Sequence, residues 1–390
     1  MAVKFPASMR LLALAVIVVA SWSTVLSSVS LTLGRPFSQR RTFVDAAVRW
    51  KRSEVYGSHS TRVLFATYTD RPSEGVCVSM LTAALQGIEL LVMGLDRQIS
   101  ELDFSHVRNV KTRKLLAFIQ LLTSDNLKRL YGIGKDVELV VLTDATDVLY
   151  LSPVKQILSK YEEITQTTAK RGKSVVVGVE RNCWPQMNGK RQRLWGGRRF
   201  CAQFDALMNA EKTSYKYPNS GGFAGPPSAL AVALADIRSG MLHVNEDDQR
   251  CTQRAILRRF AETESDSPYS FHLDYESRIF QTGWGSNLGS GCYNCSDSVG
   301  AYFNAATQLI ENTEHRTEPA MVHFNGDKVA VKPLARDMLR YFEPRALSSS
   351  EREEVLRILQ NYSRTHAMWF DALCTEYADV VRGKLGSAQL

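Results

Sequence analysis

Short apolar runs and helix-patterned segments alternate between Arg62 and Val179, and this alternation restricts the fold more than any other feature of the chain. RVLFAT (62–67), IELLVM (88–93), LVVL (139–142) and VVVGV (175–179) read as buried strands, because strands covered on both faces are near-continuous runs of Val, Ile and Leu. Between the first two, Val76, Met80, Leu81, Ala84 and Leu85 recur at the spacing of one helix face, and Gly87 ends that helix. Leu115, Leu116, Ile119 and Leu122 mark a second helix. Ser152 and Pro153 predict an N-cap and a first helical residue for a third, with Ile157, Leu158 and Tyr161 inward. Such a β-α-β-α order predicts an α/β fold with a mostly parallel sheet and helices on both faces. No internal repeat or low-complexity tract interrupts it.

The third run ends in acid. In ELVVLTDATDVLYLSP, Glu138 to Pro153, the strand gives way to Asp144 and Asp147. Ligands of open α/β sheets bind where strands end, and two carboxylates there repel unless a cation lies between them. The same pattern also suits a plain turn. Three later segments stand out. YPNSGGFAG (217–225) sets adjacent glycines where backbone can approach a ligand, or simply turns. Asn245 to Gln249 puts acids before a helix containing Ala255 and Ile256, as the helix dipole favours with or without a ligand. MVHFNG (321–326) places His323 after an apolar pair, a position that a purely structural histidine also takes.

Residues 11–34 carry no charge, and LLALAVIVVA at 11–20 is strongly apolar. The run is long enough to span a bilayer of roughly 30 Å. A signal anchor is expected there; a cleaved signal peptide would use its first half. Either places the rest in the secretory pathway, in agreement with the sequons at Asn294 and Asn361. Seven cysteines suggest disulfides with at least one left over. Cys183 and Cys201 bracket the basic stretch KRQRLWGGRR (190–199), while Cys292 and Cys295 suit a local bridge or two separate ones. The net charge of +8 is scattered along the chain, so no nucleic-acid partner is expected. Near the C-terminus, Ser350 and Glu353 stand at capping-box spacing before further helices.

Six segments in this order, namely D-x-x-D after a strand, Glu180-Arg181-Asn182-Cys183-Trp184-Pro185, NSGGF, DDQ, Leu273-Asp274 with Arg278-Ile279-Phe280-Gln281, and VHFNG, resemble the glycosyltransferase domain of procollagen-lysine hydroxylase/glycosyltransferases. They are also similar to the wider group of collagen galactosyl- and glucosyltransferases. The resemblance runs from about Val63 to Lys328. It implies a GT-A-type, Rossmann-like fold, a retaining hexosyltransferase, and a UDP-glucose or UDP-galactose donor held with Mn²⁺. On that pattern Asp144, Asp147 and His323 hold the metal, Thr67, Tyr68, Lys111, Asn325, Gly326 and Lys328 hold the donor, and Trp184, Asn219, Asp247 and Asp248 line the reacting centre. Thr146 departs from the family, which commonly has a base-stacking tyrosine there.

The implied organisation is a cytosolic tail at 1–10, an anchor at 11–34, a stem at 35–60, the transferase domain at 61–345 and a helical extension at 346–390. That describes a single-pass type II membrane protein of the endoplasmic reticulum or Golgi, with its bulk in the lumen. Expected partners are the nucleotide sugar, a protein or glycan acceptor, the membrane and a second copy in a homodimer. With only these helices beyond Arg345, lysyl hydroxylation is not expected. The alternatives are a catalytically silent scaffold that binds glycans or proteins, and a metal-dependent phosphohydrolase, for which the sequence offers neither nucleophile nor bimetallic cluster.

Overall fold

The computed structural model describes residues 62–386, apart from 96–103, 105, 132, 134–135, 167–170, 186–196, 209–212, 263–266, 285–299, 305–308, 327–330, 342–346 and 367–368. The expected anchor and stem, Lys328, the sequon at Asn294, Cys292, Cys295 and most of the basic stretch lie outside the described residues. Among those described, no helix is long and apolar enough to cross a membrane.

The four expected strands form, with small shifts of their ends, as β1 (Arg62–Tyr68), β2 (Leu90–Met93), β3 (Val137–Thr143) and, after a short β4 (Val148–Tyr150), β5 (Ser174–Glu180). With β6 (Tyr217–Gly225) and β7 (Ser270–Leu273) they make a six-stranded sheet in the order β2-β1-β3-β6-β5-β7. Three pairings are parallel, β1 with β2, β1 with β3 and β5 with β7. Strand β6 alone runs against its two neighbours. The glycine-rich segment read as a turn is thus a central strand, every residue of it buried.

Side chains alternate between two cores, as a strand covered on both faces requires. Phe65, Leu139, Val141 and Val176 point into one. Leu64, Val140, Leu142 and Val177 point into the other. The first core is covered by α1 (Glu74–Leu85), and the second by α2 (Val110–Thr123) with the short α3 (Asp125–Leu130). Next come α4 (Val154–Thr165) on the first face and α5 (Gly197–Met208), α6 (Pro227–Ser239) and α7 (Asp248–Ala261) on the second. Pro153 is itself the N-cap of α4, so the helix starts one residue later than the Ser152-Pro153 pattern predicts.

A second sheet joins β4 to β11 (Met321–His323) and β8 (Phe280–Thr282), and β9 (Ala301–Asn304) pairs with β10 (Leu309–Asn312). Helices α8 (Val331–Tyr341), α9 (Ser349–Thr365) and α10 (Phe370–Gly386) follow. The capping box of α9 is Ser348 with Glu351, two residues before the expected pair. Residues from α9 and α10 enter the first core beside α1, and Tyr362 Oη accepts a 2.7 Å bond from the Leu90 N–H. Helix α1 is consequently buried on every side from Val76 to Leu85 rather than along one stripe. Disulfides join Cys77 to Cys374, between α1 and α10, and Cys183 to Cys201; Cys251 is free and buried.

Candidate active site

Asp144 and Asp147 occupy the loop between β3 and β4, at the edge where the sheet's parallel strands end. The Asp144 N–H donates to the Gly221 carbonyl (3.1 Å), and Ser79 Oγ donates to the Val148 carbonyl (2.7 Å), fixing the loop at both ends. A Cβ on Gly75 would strike the Thr146 carbonyl, so α1 packs directly on the loop backbone. His323 arrives through strand pairing. It lies opposite Val148 in the β11–β4 ladder, and the Phe324 N–H donates to the Asp147 carbonyl (2.8 Å). Two glycines of β6 make the room: a Cβ on Gly221 would overlap the His323 ring, and one on Gly222 would overlap Phe280. Gly178 gives Phe280 space from β5. The close approach these glycines permit is of side chains that seat the small sheet on the large one.

The outcome is a triad. His323 Nε2 lies 3.2 Å from Asp144 Oδ2 and 3.6 Å from Asp147 Oδ2, and one ligand atom from each residue falls within 4.8 Å of the others. Two carboxylate oxygens and one imidazole nitrogen suit a divalent ion such as Mn²⁺, so the residues present fit the implied metal. Burial works against charge on His323, but Asp147 and Asp144 override it and push its pKa up to about 9. In the metal-free protein an imidazolium therefore joins the two acids, and its proton must leave before the ring can ligate.

Lys114 stands behind the triad. It is 7 % exposed, and its ammonium contacts Asp144 Oδ1 (2.6 Å), the Ser220 carbonyl (3.0 Å) and Asp248 Oδ2 (2.9 Å). Burial disfavours its charge, yet Asp144 and Asp248 raise its pKa above the ordinary lysine value. The same burial pushes Asp144 up, and Lys114 and His323 draw it well below the usual carboxylate range. Lys111, one turn earlier, pairs with Asp247 (2.9 Å) at the more exposed rim. Asp247 is the N-cap of α7, accepting from the N–H groups of Gln249 and Arg250.

Beside the triad, Glu180 at the end of β5 is buried within a ring of amides. Its Oε1 accepts from Asn219 Nδ2 (3.1 Å) and from Gln249 Nε2, and its Oε2 from Asn325 Nδ2 (2.6 Å). Burial raises its pKa to about 7, although the Asn219, Gln249 and Asn325 donors and His323 pull against it. Gln249 and Gln253 both donate to the Trp184 carbonyl (2.9 Å each), while the Trp184 side chain stays half-exposed. Trp284 is similarly exposed, with its backbone N–H on Asn325 Oδ1 (3.1 Å) and its ring against the backbone of Gly326, whose φ of +86° suits glycine.

Most expected site residues thus meet here: the metal triad, and Lys111, Trp184, Asn219, Asp247, Asp248, Asn325 and Gly326 around it. Thr67 and Tyr68 end β1 beside the end of β3 but are buried, with the Thr67 hydroxyl on the Thr143 carbonyl (2.8 Å). The Leu273-Asp274 and Arg278-to-Gln281 motif proves architectural, since Asp274 accepts the N–H groups of Arg278, Ile279 and Phe280 and so starts β8. Sequence reading missed Lys114 and quoted Glu180 within a motif without giving it a role. A signal existed for the first, because Lys114 stands four and seven residues before the buried Phe118 and Leu121, on the inward face of α2.

Comparison with known proteins gives the family. The model of the PLOD GT domain matches residues 59–343. The uncharacterized protein R699 of Acanthamoeba polyphaga mimivirus is 26% identical over 216 residues, 55% of this chain and 37% of that protein. The chain therefore spans little more than a third of that relative's length. The apo structure of the bifunctional glycosyltransferase WbbM covers 77% of this chain and 52% of its own at 12% identity, with a TM-score of 0.34. As the family's domain takes in every element from β1 to α8, the chain belongs to the PLOD glycosyltransferase-domain family.

Proposed function

We propose that this protein is a divalent-cation-dependent hexosyltransferase of GT-A type, moving glucose or galactose from a UDP-sugar to a protein or glycan acceptor. The observation that carries this reading is the convergence of Asp144, Asp147 and His323 at the strand-end loop beside buried polar residues. Such a triad would hold the cation, which when bound neutralises charge on the departing diphosphate. The chain's own groups do the rest. Asn219, Gln249 and Asn325 surround Glu180 with fixed amide dipoles and present a preorganised polar wall to the sugar. Asp247 and Asp248, at the start of α7, orient donor or acceptor hydroxyls. The exposed indoles of Trp184 and Trp284 supply apolar faces on which a pyranose ring can lie.

The test is sugar release and transfer from UDP-glucose and UDP-galactose with Mn²⁺ or with chelator. Asp147→Asn and His323→Ala are each expected to lose about 100-fold or more in turnover. Both should still unfold cooperatively but melt somewhat lower than wild type without metal, because each loses a contact between the His323 imidazolium and an acid. Turnover that survives chelator and both substitutions would end the cation reading. Donor that is never consumed, with glycan or protein still bound, would point to a silent scaffold.

A further inference from the structure

We propose that Lys114 is a positioning residue, the fixed internal cation that yokes Asp248 to the metal ligand Asp144 and moderates the site's hold on its divalent ion. The inference rests on the transferase reading for its catalytic half and on geometry alone for its metal half.

The Lys114 ammonium donates to Asp144 Oδ1 and to the Ser220 carbonyl, and it lies 2.9 Å from Asp248 Oδ2 as an ion pair. With 9 % of its side chain exposed, the ammonium has no solvent alternative of consequence. Its partners come from three elements that are distant in sequence: the loop after β3, the first turn of α7, and β6 next to Gly221. The contact to Asp144 uses Oδ1, which leaves Oδ2 directed at His323 Nε2. A cation held by Asp144, Asp147 and His323 and the ammonium of Lys114 thus share one carboxylate from its two oxygens. That arrangement fixes Asp144 in orientation whether or not a metal is bound. It also places a positive charge beside the ion, and like charges this close in a buried site repel strongly. Asp248, at 2 % exposure, gains from the same ammonium the partner a buried carboxylate needs.

The two halves predict effects of opposite sign, which a merely structural lysine would not produce. In Lys114→Met the repelling charge is gone, so Mn²⁺ titrated alone, followed by calorimetry or electron paramagnetic resonance, is expected to bind about tenfold more tightly. Asp248 meanwhile loses its anchor, so kcat is expected to fall by about tenfold or more with KM for the donor little changed. The kcat losses of Lys114→Met and Asp248→Asn should combine to far less than their product, as coupled residues do. Lys114→Gln, which keeps a donor for the Ser220 carbonyl, serves if the methionine variant folds poorly, and melts accompany each titration. Weaker or unchanged Mn²⁺ binding in both variants overturns the proposal, as does multiplicative loss in the double variant. If the wild-type protein consumes no UDP-sugar, the transferase reading fails separately, and the Mn²⁺ titrations still decide the role of Lys114.

Discussion

A single methyl group at position 221 would occupy the space of the His323 imidazole. Gly221→Ala is therefore expected to weaken Mn²⁺ binding by at least about tenfold and to cost roughly 1–3 kcal/mol of stability by overpacking. Gly240→Ala is the control, since the nearest atoms to its Cβ lie at 3.6 Å. Titration and thermal melts of the two variants check this, and equal behaviour would deny Gly221 its role in seating the histidine. Glu180 carries a second expectation at this scale. Its folded pKa of about 7 lies above the ordinary glutamate value of 4.5, so the folded chain keeps a proton that the unfolded chain releases. The stability it contributes is complete below pH 4.5 and is lost as pH rises through about 7, a swing on the order of 3 kcal/mol. Glu180→Gln carries no such titration. The stability of wild type relative to this variant, from denaturant melts of metal-free protein, should fall between pH 4.5 and pH 7.5, and a flat difference would contradict it.

Among the elements, α1 has the most to hold. It supports the acid loop through Gly75 and Ser79, and the Cys77–Cys374 disulfide ties it to α10 across 297 residues of sequence. A cross-link closing so long a loop is expected to contribute roughly 2–5 kcal/mol. Cys374→Ser should lower the denaturant midpoint accordingly while leaving Mn²⁺ affinity within about twofold, because the triad is set by β3, β4, β6 and β11. A large loss of Mn²⁺ affinity would show that α1 is held in place chiefly by this bond. The other bridge, Cys183–Cys201, joins the pairing suggested by the basic stretch between them, and connects the Trp184 segment to α5.

For the molecule as a whole, the helices beyond residue 343, where the family match ends, are part of the core. Val355, Ile358, Leu359, Tyr362, Phe370 and Cys374 are buried against the β2 and α1 side of the sheet. Asn361, the second sequon, lies half-buried within α9 and donates its amide to Glu89 (3.0 Å). A chain ended at Pro344 is expected to expose this apolar face, bind a hydrophobic dye and melt without cooperativity. A sharp, wild-type-like transition in that truncation would make α9 and α10 an appendage.

Local pattern determined much of this protein. Runs of Val, Ile and Leu specify strands wherever they fall, so β1, β2, β3 and β5 and the helices between them were legible, and Asp144 and Asp147 followed from a strand that ends in acid. His323 was legible only through the family resemblance, because one histidine after two apolar residues has no period to announce it. Tertiary structure decided what depends on partners far along the chain. The direction of β6 is set by pairing with β3 and β5, and YPNSGGFAG looks like a turn until Phe280 and His323 are seen filling the space its glycines leave. The inward lysine of α2 and the acid at the end of β5 acquire meaning in the same way. A buried charge needs its counter-groups in contact and a buried polar group its hydrogen-bond partners, and for Lys114 and Glu180 these lie on other elements, brought together by the folded sheet.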